Sequence, residues 1–233
     1  MVVELQLLCA GAAQGLVKAV APRLQEETGA TLGGRFGAVG AMKEALLGGA
    51  PCDLMVTTDA MVDALVAEGR LAAAPRAPLG RVRTGVAVRR GSAHPDVATP
   101  EALAAALRAA DAVYFPDPER ATAGIHFLRV LRELGLEAEL APRFRTFPNG
   151  ASAMRELASS ASPRPIGCTQ VTEILYTDGV ELVAPLPPRF ELATTYTAAV
   201  AAHAQSPALA ARLIELLTGA GSAALRAQAG FEG

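Results

Sequence analysis

FGAVGAMKEALLGGAPCDLMV, residues Phe36 to Val56, is the stretch that decides the fold. Phe36 ends an extended run, and Gly37 and Gly40 mark a turn. Residues 41–48 then read as one amphipathic helix, stopped by the Gly48-Gly49 pair. Asp53–Thr57 follows as a short, continuously apolar strand of the kind buried on both faces. Strand, helix and strand in that order predict two parallel strands joined by a helical crossover.

The same alternation runs outward in both directions. Val2–Leu8 reads as a strand, and Gly15–Thr28 as a helix with Leu16, Val20 and Leu24 four apart. Thr31–Phe36 is a strand, and Ala60–Glu68 a helix closed by Gly69. APRAPLG (residues 74–80) reads as a connector, and RVRTGVAVRR (81–90) as a strand. Thr99 is placed to cap a helix that runs to Ala109, with Pro100 in its first position. A second series follows: strand Ala112–Phe115, a helix over 123–134, a loop and helix in FPNGASAMRELASS, strand and helix in PIGCTQVTEIL, and a strand in GVELVAPLP. A long strand in FELATTYTAAVAAHA leads to terminal helices over Pro207–Thr218 and Ser222–Gln228. The expectation is an α/β fold of two lobes, each a mostly parallel sheet flanked by helices. Residues 1–80 with 195–233 form lobe 1 and residues 81–194 form lobe 2. Strands near Arg81–Val88 and Ala193–Ala201 make a two-strand hinge, and a ligand is expected in the inter-lobe cleft.

Composition narrows the function. Of 233 residues, 51% are hydrophobic, and the net charge of −2 argues against nucleic acid as a partner. Trp is absent and aromatics make up 4%, which leaves little for stacking bases or sugars. Cys9, Cys52 and Cys168 are too widely spaced for a zinc site and too few for a disulfide framework, so they read as small buried hydrophobes. No nucleotide loop, metal-ligand spacing or nucleophile elbow occurs, and no cofactor or metal is expected. MVVELQLLCAGAAQG lacks a basic leader region and reads as a first strand. The chain as it stands is therefore expected in the cytoplasm, or in the periplasm if a leader once preceded it.

The runs GAVGAMKEALLGGAPCDLMVTTDAMVDALVAEGRL, PDPERATAGIHFLRVLRELGL, PIGCTQVTEIL and ALRAQAGF together resemble the type II periplasmic solute-binding proteins. The nearest branch is that of the molybdate-binding proteins of ABC transporters, and the likeness covers nearly the whole chain. It implies the two-lobed fold, a small anionic ligand and a membrane transporter component as partner. The chain departs from that branch where its ligand-binding side chains lie. Gly11 and Ala12 stand at the first strand–helix turn where the family has a serine. Ala38 and Val39 stand at the second where it has a serine pair, and Gln170 replaces a common tyrosine. Bare helix amides at Gly11, Ala12, Ala38, Val39 and Gly40, framed by small residues, suit a carboxylate on a larger body better than a compact oxyanion.

Further ligand candidates come from the second half of the chain. Thr122 is read as a helix cap with the amides of Ala123 and Gly124 beside it. Thr169 and Gln170 follow a strand end, where open α/β sheets bind ligands. Arg81 and Arg83 near the first crossing could fork a carboxylate, and Thr194, Thr195 and Tyr196 lie near the second. His94 and His203 read as ordinary surface residues. The leading expectation is a solute-binding protein for a di- or tricarboxylate. The alternative is a cofactor-free isomerase of an unsaturated carboxylate, since the resemblance extends to aconitate isomerases. There His126 would be the acid/base, with Cys9, Cys168 and Glu173 as weaker candidates. A molybdate or tungstate binder ranks third. A transcription-factor effector domain is set aside because no DNA-binding module precedes Val2.

Overall fold

The computed structural model describes residues 3–233. In chain order its elements are β1 (Glu4–Ala10), α1 (Gln14–Thr28), β2 (Thr31–Gly37), α2 (Val39–Leu47), β3 (Leu54–Thr58), α3 (Asp59–Ala67), β4 (Leu71–Arg89), α4 (Pro100–Ala109), β5 (Ala112–Pro116), α5 (Thr122–Glu133), α6 (Glu137–Leu140), β6 (Phe144–Phe147), α7 (Gly150–Ala158), β7 (Pro165–Gln170), α8 (Val171–Tyr176), β8 (Val180–Pro185), β9 (Ala193–Ala201), α9 (Pro207–Thr218) and α10 (Ala223–Gln228). The fold is α/β, with mostly parallel sheets flanked by helices. The chain divides into two compact units, Met1–Val82 with Thr194–Gly233 as unit 1 and Arg83–Ala193 as unit 2. Among the described residues no single helix is long and apolar enough to cross a membrane.

Unit 1 carries strands in the order β2-β1-β3-β9. β1 runs parallel to both β2 and β3, and β9 closes antiparallel on β3. Leu8, Met42, Met55, Val62, Leu65, Leu71 and Ala199 pack into one buried cluster. α1 buries Leu16, Val17, Val20 and Leu24, the apolar positions read from its periodicity together with Val17 between them. Asp53, just ahead of β3, is buried and ties distant segments together. Its carboxylate accepts the amides of Gln6 at 2.9 Å, Gln205 at 2.7 Å and Ser206 at 2.9 Å. Three charge-assisted bonds of this kind offset the cost of taking a carboxylate out of water.

Unit 2 is built on the order β4-β7-β5-β6, with β8 on the other side of β4. β5 runs parallel to β6 and β7, and β4 is antiparallel to β7 and β8. The core centres on Phe115, which meets Phe127 and Phe144 edge-on at ring separations of 5.4 and 5.1 Å. Burying each such ring contributes about 1.5–3 kcal/mol. α4 starts as read, with Thr99 accepting the Ala102 amide at 3.1 Å and Pro100 in the first position.

Two readings of the sequence need correction, and one strand lay outside them. The connector at residues 74–80 is part of one 19-residue strand, β4. Pro75 lies in its exposed stretch, where a missing amide costs nothing to a neighbour. FRTF forms β6, a four-residue strand too short to stand out by pattern. α5 begins at Thr122, with Ala121 in the cap position, so Thr122 is not a cap. The Asp117 carboxylate accepts the amides of Glu119 and Arg120, and this tight turn delivers the chain to the helix one residue early.

Candidate functional site

Because β1, β2 and β3 are parallel, their carboxyl ends share one edge of unit 1, and α1, α2 and α3 all start there. Neither α1 nor α2 has a side-chain cap. The residues framing their first turns are small and apolar: Gly11, Ala12, Ala38 and Val39 are buried and Gly40 is half-buried. α1 is entered through a 3-10 turn, Gly11–Ala13, in which the Gln14 amide donates to the Gly11 carbonyl; the start of each helix carries the positive end of a helix dipole, which favours an anion. α3 differs, because Asp59 in its first turn already brings a carboxylate. Asp59 accepts the Thr197 hydroxyl at 2.7 Å. Beside it Thr57 is 0% exposed and its hydroxyl has no partner.

Unit 2 repeats the plan with β5, β6 and β7, whose carboxyl ends lead to α5, α7 and α8. α5 has no side-chain cap, and Ala123 and Gly124 at its start are buried. A methyl group on Gly124 would strike the carbonyl oxygens of Pro116 and Asp117, so this glycine lets the helix lie directly against its own entry loop. The start of α7, by contrast, is filled. Asn149 accepts the Ser152 amide at 2.9 Å. The buried Glu173 carboxyl accepts the amides of Gly150, Ala151 and Gln170, and the Thr169 hydroxyl at 2.6 Å. Burial pushes the Glu173 pKa up, and these four donors offset only part of that.

Several candidate residues thus find other employment. Thr169 spends its hydroxyl on Glu173 and has none left to donate to a ligand. His126 is half-buried, and its Nε2 lies 2.8 Å from the Phe190 carbonyl. A carbonyl only accepts, so Nε2 carries the proton and only Nδ1 of the neutral ring is free for proton traffic. Arg83 faces Glu191 at 3.8 Å, and Arg81 is exposed with its backbone paired to Glu232. Cys9 and Cys168 are buried, and desolvation holds both thiols far above their ordinary pKa; Cys52 is pushed up to about 12. None of the three serves as a thiolate near neutrality.

Gln170 remains, and with it two residues that the sequence reading passed over. Gln170 is 2% exposed, and neither its amide oxygen nor its amide nitrogen has a partner. Thr84 of β4 stands directly opposite it across the β4–β7 ladder. Thr84 is 1% exposed and Thr172 is 4% exposed, and both hydroxyls are unpartnered. Each such buried, unmet group costs about 1–3 kcal/mol, so three side chains of this kind in one unit are a concentrated cost to the free protein. Polar residues at strand ends in otherwise apolar runs, VTT before Asp59 and CTQVT before Glu173, were the available signal. Among the described residues no three His, Cys, Asp or Glu side chains gather as a metal site would require.

Comparison with known proteins agrees with this architecture. The chain is 27% identical to an aconitate isomerase of Pseudomonas sp. over 225 residues, covering 93% of this chain and 82% of that protein. The periplasmic molybdate-binding protein of Azotobacter vinelandii superposes with a TM-score of 0.79 at 19% identity, covering 98% of both chains. The sulfate-binding protein of Mycobacterium tuberculosis superposes with a TM-score of 0.72 at 17% identity, over 98% of this chain and 86% of the other. Residues 5–232 match the family described as bacterial extracellular solute-binding protein, and the chain belongs to that family.

Proposed function

We propose that this protein binds a small organic anion, a di- or tricarboxylate, as a solute-binding protein that delivers it to a membrane transporter. The uncapped starts of α1 and α2 carry this reading: they offer backbone amides framed by Gly11, Ala12, Ala38 and Val39, with no hydroxyl or cation in the turns. A carboxylate is satisfied by two or three such amides, while its carbon body occupies the room that small side chains leave. A compact tetrahedral dianion needs more donors, and each one missing costs about 1.5–3 kcal/mol. The extracellular setting in the family's description supports reading the ligand as a solute taken up from outside.

The test is a calorimetric titration with citrate, tricarballylate, cis- and trans-aconitate, succinate, molybdate and sulfate. Saturable heat with one or more carboxylates is expected. Saturation by molybdate or sulfate with none by any carboxylate would sink the reading.

The likeness to an aconitate isomerase across 93% of the chain supports a second reading, cofactor-free isomerisation of an unsaturated carboxylate. A proton shift beside a carboxylate needs one acid/base and amides to hold the enolate-like charge. His126 through Nδ1 is the candidate for the proton. Proton NMR of either aconitate isomer in deuterated buffer separates the two readings. Appearance of the other isomer, abolished by His126→Gln with the fold intact, establishes turnover; line broadening without new resonances establishes binding alone.

A further inference from the structure

Within unit 2, a cavity of about 500 Å³ opens at the sheet edge opposite the starts of α5, α7 and α8. β4 runs antiparallel to β7 with Val88 paired to Ile166, so Arg89 at the end of β4 meets the beginning of β7. Four steps along β7 at about 3.3 Å each put Ile166 roughly 13 Å from Gln170 at its other end. We infer that this cavity is a second binding site, for a small amphiphilic anion with one carboxylate on a hydrocarbon body, and that Arg89 holds the carboxylate.

The floor is apolar and leaves room. Val88, Ala110 and Ile166 are each 4% exposed, and the end of α4 adds only the methyl groups of Ala106 and Ala109. Pro95, Pro163 and Pro165 stand in the walls, where their fixed φ resists collapse into the space that the alanines leave.

The ionisable side chains on the lining are all basic: Arg89, His94 and Arg164. Two of them already face a carboxylate that is not on the lining. Arg164 Nη2 lies 3.0 Å from Asp111, and His94 Nε2 lies 3.2 Å from Glu181. Arg89 is the exception. It is half-buried, and among the described residues its one polar contact is the bond from Nη1 to the Ser160 carbonyl at 2.5 Å. That neutral acceptor leaves the charge unmatched and most of the guanidinium donors unused. Exposed arginines of the same unit do have a carboxylate, Arg132 on Glu137 and Arg164 on Asp111, although water already screens them.

A half-buried guanidinium beside an apolar floor matches a ligand that brings both a planar carboxylate and hydrocarbon. An inorganic anion would meet the fork and leave the floor uncovered, and a neutral hydrocarbon would do the reverse. A second or third carboxylate would have to lie against the alanines without a partner, which separates this ligand class from the di- and tricarboxylates.

The experiment titrates the protein calorimetrically with octanoate, 1-octanol and acetate, and follows amide shifts in an isotope-labelled sample. Octanoate is expected to saturate at least about tenfold tighter than either of the others, and to shift the amides of Gly91, Ser92 and Ala109. Arg89→Met keeps an unbranched stem and removes the charge. Ala109→Phe fills the cavity from an exposed position. Each should weaken octanoate about tenfold or more. The inference is overturned if octanoate does not saturate, or if 1-octanol or acetate binds as tightly. It is equally overturned if octanoate binding survives Ala109→Phe, a variant that leaves the Arg89 bond to Ser160 in place and so decides the matter even if Arg89→Met does not fold.

Discussion

Replacing Thr84 by Val should strengthen the empty protein and weaken the bound one. The side chain is buried, and its hydroxyl has no partner. Its backbone is held independently, the amide by Leu192 O at 3.1 Å and the carbonyl by Leu186 N at 3.0 Å, so the strand is not disturbed. Exchanging hydroxyl for methyl at constant shape removes an orphan that costs about 1–3 kcal/mol in the free protein. At roughly 2–4 °C per kcal/mol for a chain of this size, the melting temperature of the free protein should rise by about 2–12 °C. If a bound ligand takes this hydroxyl as its partner, the loss should weaken the ligand by about 1–3 kcal/mol, roughly 5- to 150-fold. Differential scanning fluorimetry with and without the best carboxylate reads both effects in one plate. The free melting point should go up and the ligand-induced shift should shrink. A variant that melts lower than wild type, or keeps the full ligand shift, would show that Thr84 is satisfied within the protein and would refute the assignment of this cluster to a ligand.

Other substitutions test the supports of the two units. Asp53→Asn leaves one of the carboxylate's two acceptor oxygens replaced by a donor facing the amides of Gln6 or of Gln205 and Ser206; a loss of about 2–4 kcal/mol is expected in urea unfolding. Gly150→Ala drives a methyl into Glu173 and Thr169, and should cost about 1–3 kcal/mol by overpacking; an unchanged denaturation midpoint would contradict the packing described. Glu173 gives a pH signature. Its pKa is raised in the folded protein, so between the ordinary carboxyl value and that raised value the native state holds more protons than the unfolded chain. Its contribution is then fullest below the ordinary value and is lost as pH rises through the folded one. The difference in melting point between wild type and Glu173→Gln, followed across that range, should decline with rising pH; a flat difference would mean that Glu173 titrates normally.

The alternation of strands and helices was legible because each element's apolar period is local: the 3.6-residue spacing of α1 and the unbroken LMV of β3 need no knowledge of partners. The cap at Thr99 was legible for the same reason. What stayed hidden depends on residues far apart in the chain. The first half of β4 looked like a connector because its prolines dominate, although its exposed position tolerates them. His126 looked free for chemistry, but the carbonyl it binds lies 64 residues away. Thr169 and Gln170 looked equivalent as neighbours at a strand end. Successive side chains of a strand point to opposite faces, so one met Glu173 and the other met nothing. Thr84 became visible only when the ladder set it opposite Gln170.

The discontinuity of unit 1 bears on how the molecule is made. Unit 2 is one uninterrupted stretch, and every strand of its sheet has been synthesised before Thr194 is added. Unit 1 begins first and finishes last. Its β3 has only a provisional edge until β9 arrives to cover it, and the Asp53 carboxylate waits for the Gln205 and Ser206 amides that complete its shell. At elongation rates of about 5–20 residues per second, β1 to α3 spend several seconds as an unfinished sheet with an open strand, while the later-born unit closes ahead of them. In vectorial synthesis the middle of this chain therefore matures before its beginning, and a truncation near the carboxyl terminus undoes the half of the protein that was translated first.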